Sequence, residues 1–218
     1  MEKNKKKLGI SLGVLAAFLL WTAAICRVDL QTIGPQGSVV GFATINRFVH
    51  NLTGVHFALY TVTDWLGLVP VGVCMGFGVF GLAQWIKRKH ILKVDHSILI
   101  LGGFYIVVMG AYLFFESFVV NYRPVLIEGY LEASYPSSTT VLVLCVMPTA
   151  VMQLNARIKN RVLRRCVASV IIVFVVFMVV GRLVSGVHWL TDIVGGALFS
   201  VGLVMMYDSV TQIIANNR

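Results

Sequence analysis

A chain of 218 residues that is 58% hydrophobic and only 12% charged, with a mean hydropathy of +0.86, is not a soluble globular domain; such domains carry about 25% charged residues. Its apolar runs are long and continuous, which excludes intrinsic disorder, a coiled coil and a membrane barrel, whose strands alternate in polarity. What remains is an all-α, polytopic membrane protein, because lipid tolerates only structures that satisfy every backbone polar group internally.

At about 20 apolar residues per crossing, six spans are expected, at residues 8–25, 66–86, 97–115, 139–154, 166–183 and 189–207. The fourth is the shortest and holds Pro148, so an earlier start or a kink is expected there. The first begins with Lys3, Lys5, Lys6 and Lys7, as a secretory signal does. However, residues 22–26 (Thr-Ala-Ala-Ile-Cys) form neither an A-x-A cleavage site nor a comfortable lipoprotein site, so a retained span is the preferred reading. The N-terminus, residues 87–93, residues 157–165 and Arg218 together hold 14 of the 18 Lys and Arg residues. That asymmetry predicts a multi-pass protein of the cell membrane with both termini cytoplasmic. It also accounts for the formal net charge of +9: runs such as Lys87-Arg88-Lys89 lie where anionic headgroups attract them, and no nucleic-acid partner is expected. The length allows one membrane-embedded domain over residues 1–218. Cys26, Cys74, Cys145 and Cys166 show no paired spacing, so neither a disulfide framework nor a zinc site is expected.

Two segments face outward in this topology. Residues 26–65 contain Ile45, Phe48, Val49 and Leu52 at i, i+3, i+4 and i+7, with Asn46, Arg47, His50 and Asn51 on the opposite face. This predicts an amphipathic helix; its stripe either lies in the membrane interface or packs on the bundle, and the sequence favours neither. Residues 116–138 hold Arg123-Pro124, Glu128, Glu132 and the run Tyr135-Pro136-Ser137-Ser138-Thr139-Thr140. The last reads as a helix start with Ser137 or Ser138 as N-cap, and exposed N–H groups at such a start attract anions.

Within the spans as drawn, only Arg182 and Asp192 carry charge, and a charge in lipid is a functional signal by default. His188 precedes Asp192 by four residues, so a helical start near Trp189 lets the carboxylate hold one imidazole nitrogen and leaves the other free. A structural Arg–Asp pair beside an ordinary interfacial histidine is the plainer alternative. Arg123, Ser137, Arg182, His188 and Asp192 are nevertheless all expected at one face. Two guanidiniums for phosphoryl oxygens, a helix N-terminus and an oriented imidazole are what phosphoryl transfer through a phosphohistidine requires.

These residues also resemble the type 2 phosphatidic acid phosphatase family of membrane lipid phosphatases, which shares a superfamily with the vanadium haloperoxidases. The family motifs are K-x6-R-P, P-S-G-H and S-R-x5-H-x3-D. Here the third reads Gly181-Arg182, five residues, His188, three residues, Asp192; the first keeps Arg123-Pro124 with Glu116 at the lysine position. The second reads Pro136-Ser137-Ser138-Thr139, with Ser138 for glycine and Thr139 for histidine. The resemblance spans about residues 97–210. It implies a six-helix bundle without metal or cofactor, His188 as nucleophile, Asp192 as its orienting partner, and Arg123, Ser137, Ser138 and Arg182 as phosphate ligands. In the family the second-motif histidine protonates the leaving group, and Thr139 cannot do so near neutral pH.

A positioned general acid contributes typically 10²–10⁴-fold. A lipid phosphomonoester must expel an alkoxide whose conjugate acid has a pKa on the order of water's, about 15.7. A lipid diphosphate expels a lipid monophosphate, whose second pKa is roughly 6, and that group departs as an anion unaided. The expected activity is therefore hydrolysis of a polyprenyl (undecaprenyl) diphosphate or a related lipid phosphate at the outer face. Glu116, Glu128, Glu132, His50 and His56 are the outward groups that could substitute for the missing acid. The alternatives are a noncatalytic lipid-phosphate binder on the same fold, for which Glu116 and Thr139 speak, and a lipid phosphotransferase. A transporter is disfavoured because no spans carry paired Gly/Pro breaks. The oligomeric state is left open.

Overall fold

The computed structural model describes residues 2–216; Arg218, counted above among the inward charges, lies outside the described residues. Among these residues the chain forms α1 (Glu2–Ile25), α2 (Ala43–Thr53), α3 (Phe57–Leu66), α4 (Leu68–Arg88), α5 (His96–Ser117), α6 (Ser138–Asn155), α7 (Arg161–Val184) and α8 (Leu190–Asn216). Six stretches are long and apolar enough to cross a membrane: Asn4–Ile25, Phe57–Arg88, His96–Ser117, Ser138–Asn155, Arg161–Val184 and Leu190–Asn216. Their number and order agree with the expected spans.

The second span begins earlier than expected, because α3 and α4 run on almost continuously through Gly67. Pro70 has no N–H for the Leu66 carbonyl, which interrupts the helix there; the Gly67 N–H turns back to the carbonyls of Thr63 (3.1 Å) and Asp64 (3.0 Å). The expectation that Arg182 and Asp192 are the only charges in the spans therefore gives way. The helices overrun the apolar windows and take in Asp64, six residues before Pro70, at the same end of the bundle as Arg182.

α8 is the central helix, packed against α1 along its length and against α2, α5, α6 and α7. Leu101, Phe104 and Val108 of α5, Val141 and Cys145 of α6, and Leu203 and Tyr207 of α8 form the main buried cluster. The outward faces of α4, α5 and α7 are apolar and exposed, as in Met75, Ile106, Val170 and Val173, which is the inverse of a soluble bundle and suits lipid contact. At one end Lys7 of α1 pairs with Asp208 of α8, and Asp95 sits between Arg88 (2.9 Å) and Arg157 (3.7 Å). The loops bearing the phosphatase-like motifs gather at the other end.

The amphipathic helix is α2, and its two open readings are now separated. Its apolar stripe points away from the bundle, with Phe48 66% and Leu52 75% exposed, as a helix lying in the interface requires. The polar face does the docking. Buried Asn46 donates Nδ2 to the Gly41 carbonyl and the Thr191 hydroxyl (both 2.9 Å) and accepts the Thr191 N–H (3.2 Å), tying α2 to the start of α8.

Candidate functional site

The segment between α5 and α6 is a short hairpin rather than an irregular loop. The Arg123 N–H donates to the Glu132 carbonyl (3.0 Å) and the Ser134 N–H to the Asn121 carbonyl (2.9 Å). Its turn places Glu128 and Gly129 at φ of 50° and 86°, two left-handed residues in succession, which gives a turn whose twist matches the paired strands. Two anchors hold the hairpin down. Trp189 Nε1 donates to the Tyr122 carbonyl (2.8 Å), and the Tyr135 hydroxyl bonds to that of Thr22 on α1 (2.7 Å). The Tyr135 ring lies over Gly195 so closely that a Cβ there would stand 2.4 Å from it. The hairpin therefore delivers Arg123 to a fixed place.

The turn between α7 and α8 supplies the imidazole. Asp192 sits in the first turn of α8 and its Oδ2 accepts the Trp189 N–H (3.0 Å), a carboxylate closing the helix start as in a capping box. Asn121 Nδ2 approaches its other oxygen at 3.4 Å. The same Oδ2 faces His188 Nδ1 at 3.6 Å, the i, i+4 relation expected from the sequence. This is a close approach rather than a formed hydrogen bond; such bonds are often long without substrate.

The opposite nitrogen, His188 Nε2, is met from two sides, by Arg123 Nη1 at 3.3 Å and Arg182 Nη2 at 3.1 Å. A guanidinium only donates, so Nε2 is the acceptor and the ring proton resides on Nδ1, toward Asp192. Complete burial, reinforced by the charges of Arg123 and Arg182, holds the imidazole well below its ordinary pKa of 6.5 and keeps it neutral. Both guanidiniums lie over the Tyr60 ring, Arg182 at 4.9 Å and Arg123 at 5.9 Å from its centre, within the range of cation–π attraction. Each has a carboxylate neighbour. Glu132 Oε2 lies 3.0 Å from Arg123 Nε, and Asp64 Oδ1 lies 3.5 Å from Arg182 Nη1. Neither contact has hydrogen-bond alignment, and Arg123 Nε and both Arg182 Nε and Nη1 are buried donors without acceptors. Arg182 is only 1% exposed. Unspent buried donors on a cation are costly, and an anion with several oxygens is the ligand that would satisfy them.

Four of the expected site residues are thus brought together, Arg123, Arg182 and Asp192 each meeting His188. Ser137 reaches the group through its backbone, its N–H donating to the Asp192 carbonyl (3.2 Å). It occupies the N-cap position of α6 but makes no capping bond; its Oγ instead accepts from the Thr140 hydroxyl (3.0 Å), which corrects the expected role. Ser138 and Thr139 are half-buried in the first turn of α6 and make no hydrogen bond to either arginine, and Glu116 is exposed at the end of α5. The sequence reading missed Tyr60 and Asp64, both within a stretch taken for a loop; their spacing of four on a helix was the available signal. Among the described residues, no group of three or more His, Cys, Asp or Glu side chains is placed to hold a metal ion.

Residues 104–214, just over half the chain, match the PAP2 superfamily, and the chain belongs to that superfamily. It is similar in fold to a transmembrane PAP2-type phosphatidylglycerolphosphate phosphatase from Bacillus subtilis. The two share 17% identity and a TM-score of 0.55 over 94% of this chain and 96% of that one. No curated protein sequence matches the chain.

Proposed function

We propose that this protein is a metal-independent lipid phosphatase whose His188 forms a phosphohistidine, that its site lies at the extracytoplasmic face, and that a polyprenyl diphosphate is its preferred substrate. One observation carries the reading: a neutral, buried imidazole directs its lone pair between two guanidiniums while its proton faces a carboxylate. A terminal phosphoryl group entering there draws Arg123 and Arg182 from Nε2 onto its oxygens and frees the lone pair. Nε2 attacks phosphorus, the bond to the leaving oxygen breaks, and the imidazolium that results is stabilised by Asp192. Water then attacks the phosphohistidine, the P–N bond breaks, and phosphate leaves. The extracytoplasmic placement rests on the bias of Lys and Arg toward the opposite end of the helices.

The diphosphate preference rests on Thr139, since a lipid monophosphate leaves without a proton and an alkoxide does not. A monoester such as phosphatidylglycerol phosphate, named for the Bacillus subtilis protein of like fold, is the competing substrate. Acid quenching of the purified protein with labelled lipid tests the reading. Phosphate covalently held by the unaltered chain and absent from His188→Ala supports it, as does faster phosphate release from a polyprenyl diphosphate than from phosphatidic acid. Tight lipid-phosphate binding without a phosphoenzyme would favour a noncatalytic binder, for which Glu116 and the carboxylates beside both arginines speak. Phosphate transferred to an added alcohol in preference to water would favour a phosphotransferase.

A further inference from the structure

We propose that Glu132 is the proton donor to the leaving group and the base toward the attacking water, in the place left by the missing second-motif histidine. The inference deepens the phosphohistidine reading and rests on it. Of the five outward groups that could serve, the structure separates one from the rest. Glu116 is exposed at the end of α5, and Glu128 occupies the exposed tip of the hairpin. His56 Nε2 is engaged with the Thr53 carbonyl (2.9 Å), and the His50 ring rests on Trp189, 5.5 Å between centres. Only Glu132 touches a residue that contacts the nucleophile, with Oε2 3.0 Å from Arg123 Nε while Arg123 Nη1 is 3.3 Å from His188 Nε2.

Its position is also fixed. Glu132 and Arg123 stand opposite each other in the hairpin, the Arg123 N–H bonding to the Glu132 carbonyl (3.0 Å), which holds the two backbones side by side with the carboxyl group within reach of that guanidinium. The side chain is 41% exposed against 11% for that of Arg123, so it stands between the buried guanidinium and the surface. The charged and titratable groups around it are Arg123, Arg182, Tyr60 and Asp64. Asp64 is the corresponding carboxylate on Arg182, but it stands farther off, at 3.5 Å, and is 58% exposed.

The step balances without a further reactant. Nε2 bonds to phosphorus, the P–O bond to the lipid breaks, and the Glu132 proton passes to the departing oxygen, giving a neutral lipid alcohol. In the second half, water adds to phosphorus, its proton passes to the Glu132 carboxylate, and the P–N bond breaks to restore neutral His188. A diphosphate draws on the second half only and keeps its advantage over a monoester with Glu132 in place, because its leaving group departs without any proton transfer.

Rapid-quench measurement of phosphoenzyme formation and breakdown, with the full chain in micelles, tests the proposal. Glu132→Gln keeps an acceptor beside Arg123 and is the variant of choice. The expected result is a 10²–10⁴-fold slower formation from phosphatidic acid, formation from a polyprenyl diphosphate within about threefold of the unaltered chain, and slower breakdown with either lipid. Asp64→Asn is expected to shift formation from both lipids alike. Equal slowing of formation by Glu132→Gln with both lipids, or a substrate split from Asp64→Asn instead, overturns the assignment to Glu132 while leaving the nucleophile in place. No phosphoenzyme from the unaltered chain with either lipid overturns the histidine reading, and this inference with it.

Discussion

Replacing Arg182 by lysine keeps the positive charge and removes the fork. Arg182 directs Nη2 to His188 (3.1 Å) and Nη1 toward Asp64 (3.5 Å), lies 4.9 Å from the Tyr60 ring centre, and keeps Nε unspent. One ammonium can fill a single one of these positions, and a lysine stem carries no planar group to stack on Tyr60. On binding phosphate the variant forfeits one charge-assisted hydrogen bond, about 1.5–3 kcal/mol, and part of a cation–π contact, about 0.5–1 kcal/mol. The loss of roughly 2–4 kcal/mol corresponds to about 30- to 1,000-fold in kcat/KM. The assay is release of inorganic phosphate from a short-chain prenyl diphosphate in detergent micelles, with the thermal midpoint measured in parallel. A loss under fivefold at an unchanged midpoint would refute the view that bidentate geometry, rather than charge alone, makes the phosphate site.

Three further outcomes follow from the same contacts. Because burial and two arginines hold His188 below its ordinary pKa of 6.5, kcat/KM, which reports the free enzyme, should show no loss from imidazole protonation between pH 8 and 6.5. Followed by NMR, the His188 ring should take up its second proton only at lower pH; a ring titration midpoint above 6.5 contradicts the neutral imidazole. Gly195→Ala drives a Cβ to 2.4 Å from the Tyr135 ring and should cost about 1–3 kcal/mol by overpacking, read as a lowered thermal midpoint and weaker activity from a displaced hairpin. Asn46→Ala removes three bonds between α2 and Thr191 or Gly41 and leaves buried partners unpaired. About 1–3 kcal/mol is expected, measured as a lower midpoint in detergent, with Phe48 and Leu52 variants near neutral by comparison.

The six spans were legible because lipid demands unbroken apolar runs, and the His188–Asp192 pair was legible because a helix fixes its i, i+4 neighbours. What stayed hidden depended on side chains meeting across the chain. Asp64 ends an apolar window by its charge, and only contact with Arg182 shows why a helix carries it into the rim. The orientation of α2 could not be read from its stripe, since an apolar face seeks lipid and protein core alike; buried Asn46 decides it. Ser137 stands where an N-cap belongs, yet its hydroxyl serves Thr140, a choice made by packing rather than by propensity. The hairpin from Asn121 to Ser134 escaped notice because its pairing is only a few residues long and its turn opens with Glu128, an unusual left-handed residue.

Asp192 answers to two masters, starting α8 through the Trp189 N–H and steering the imidazole through the same oxygen. Architecture alone would preserve it in a descendant that had abandoned chemistry, so an aspartate at this position is poor testimony of a working enzyme. The meeting of Arg123 and Arg182 on His188 has no such second employment, since it gathers two like charges in a dry place at an energetic loss. In recognising members of this superfamily that still hold phosphate, that convergence is the informative mark.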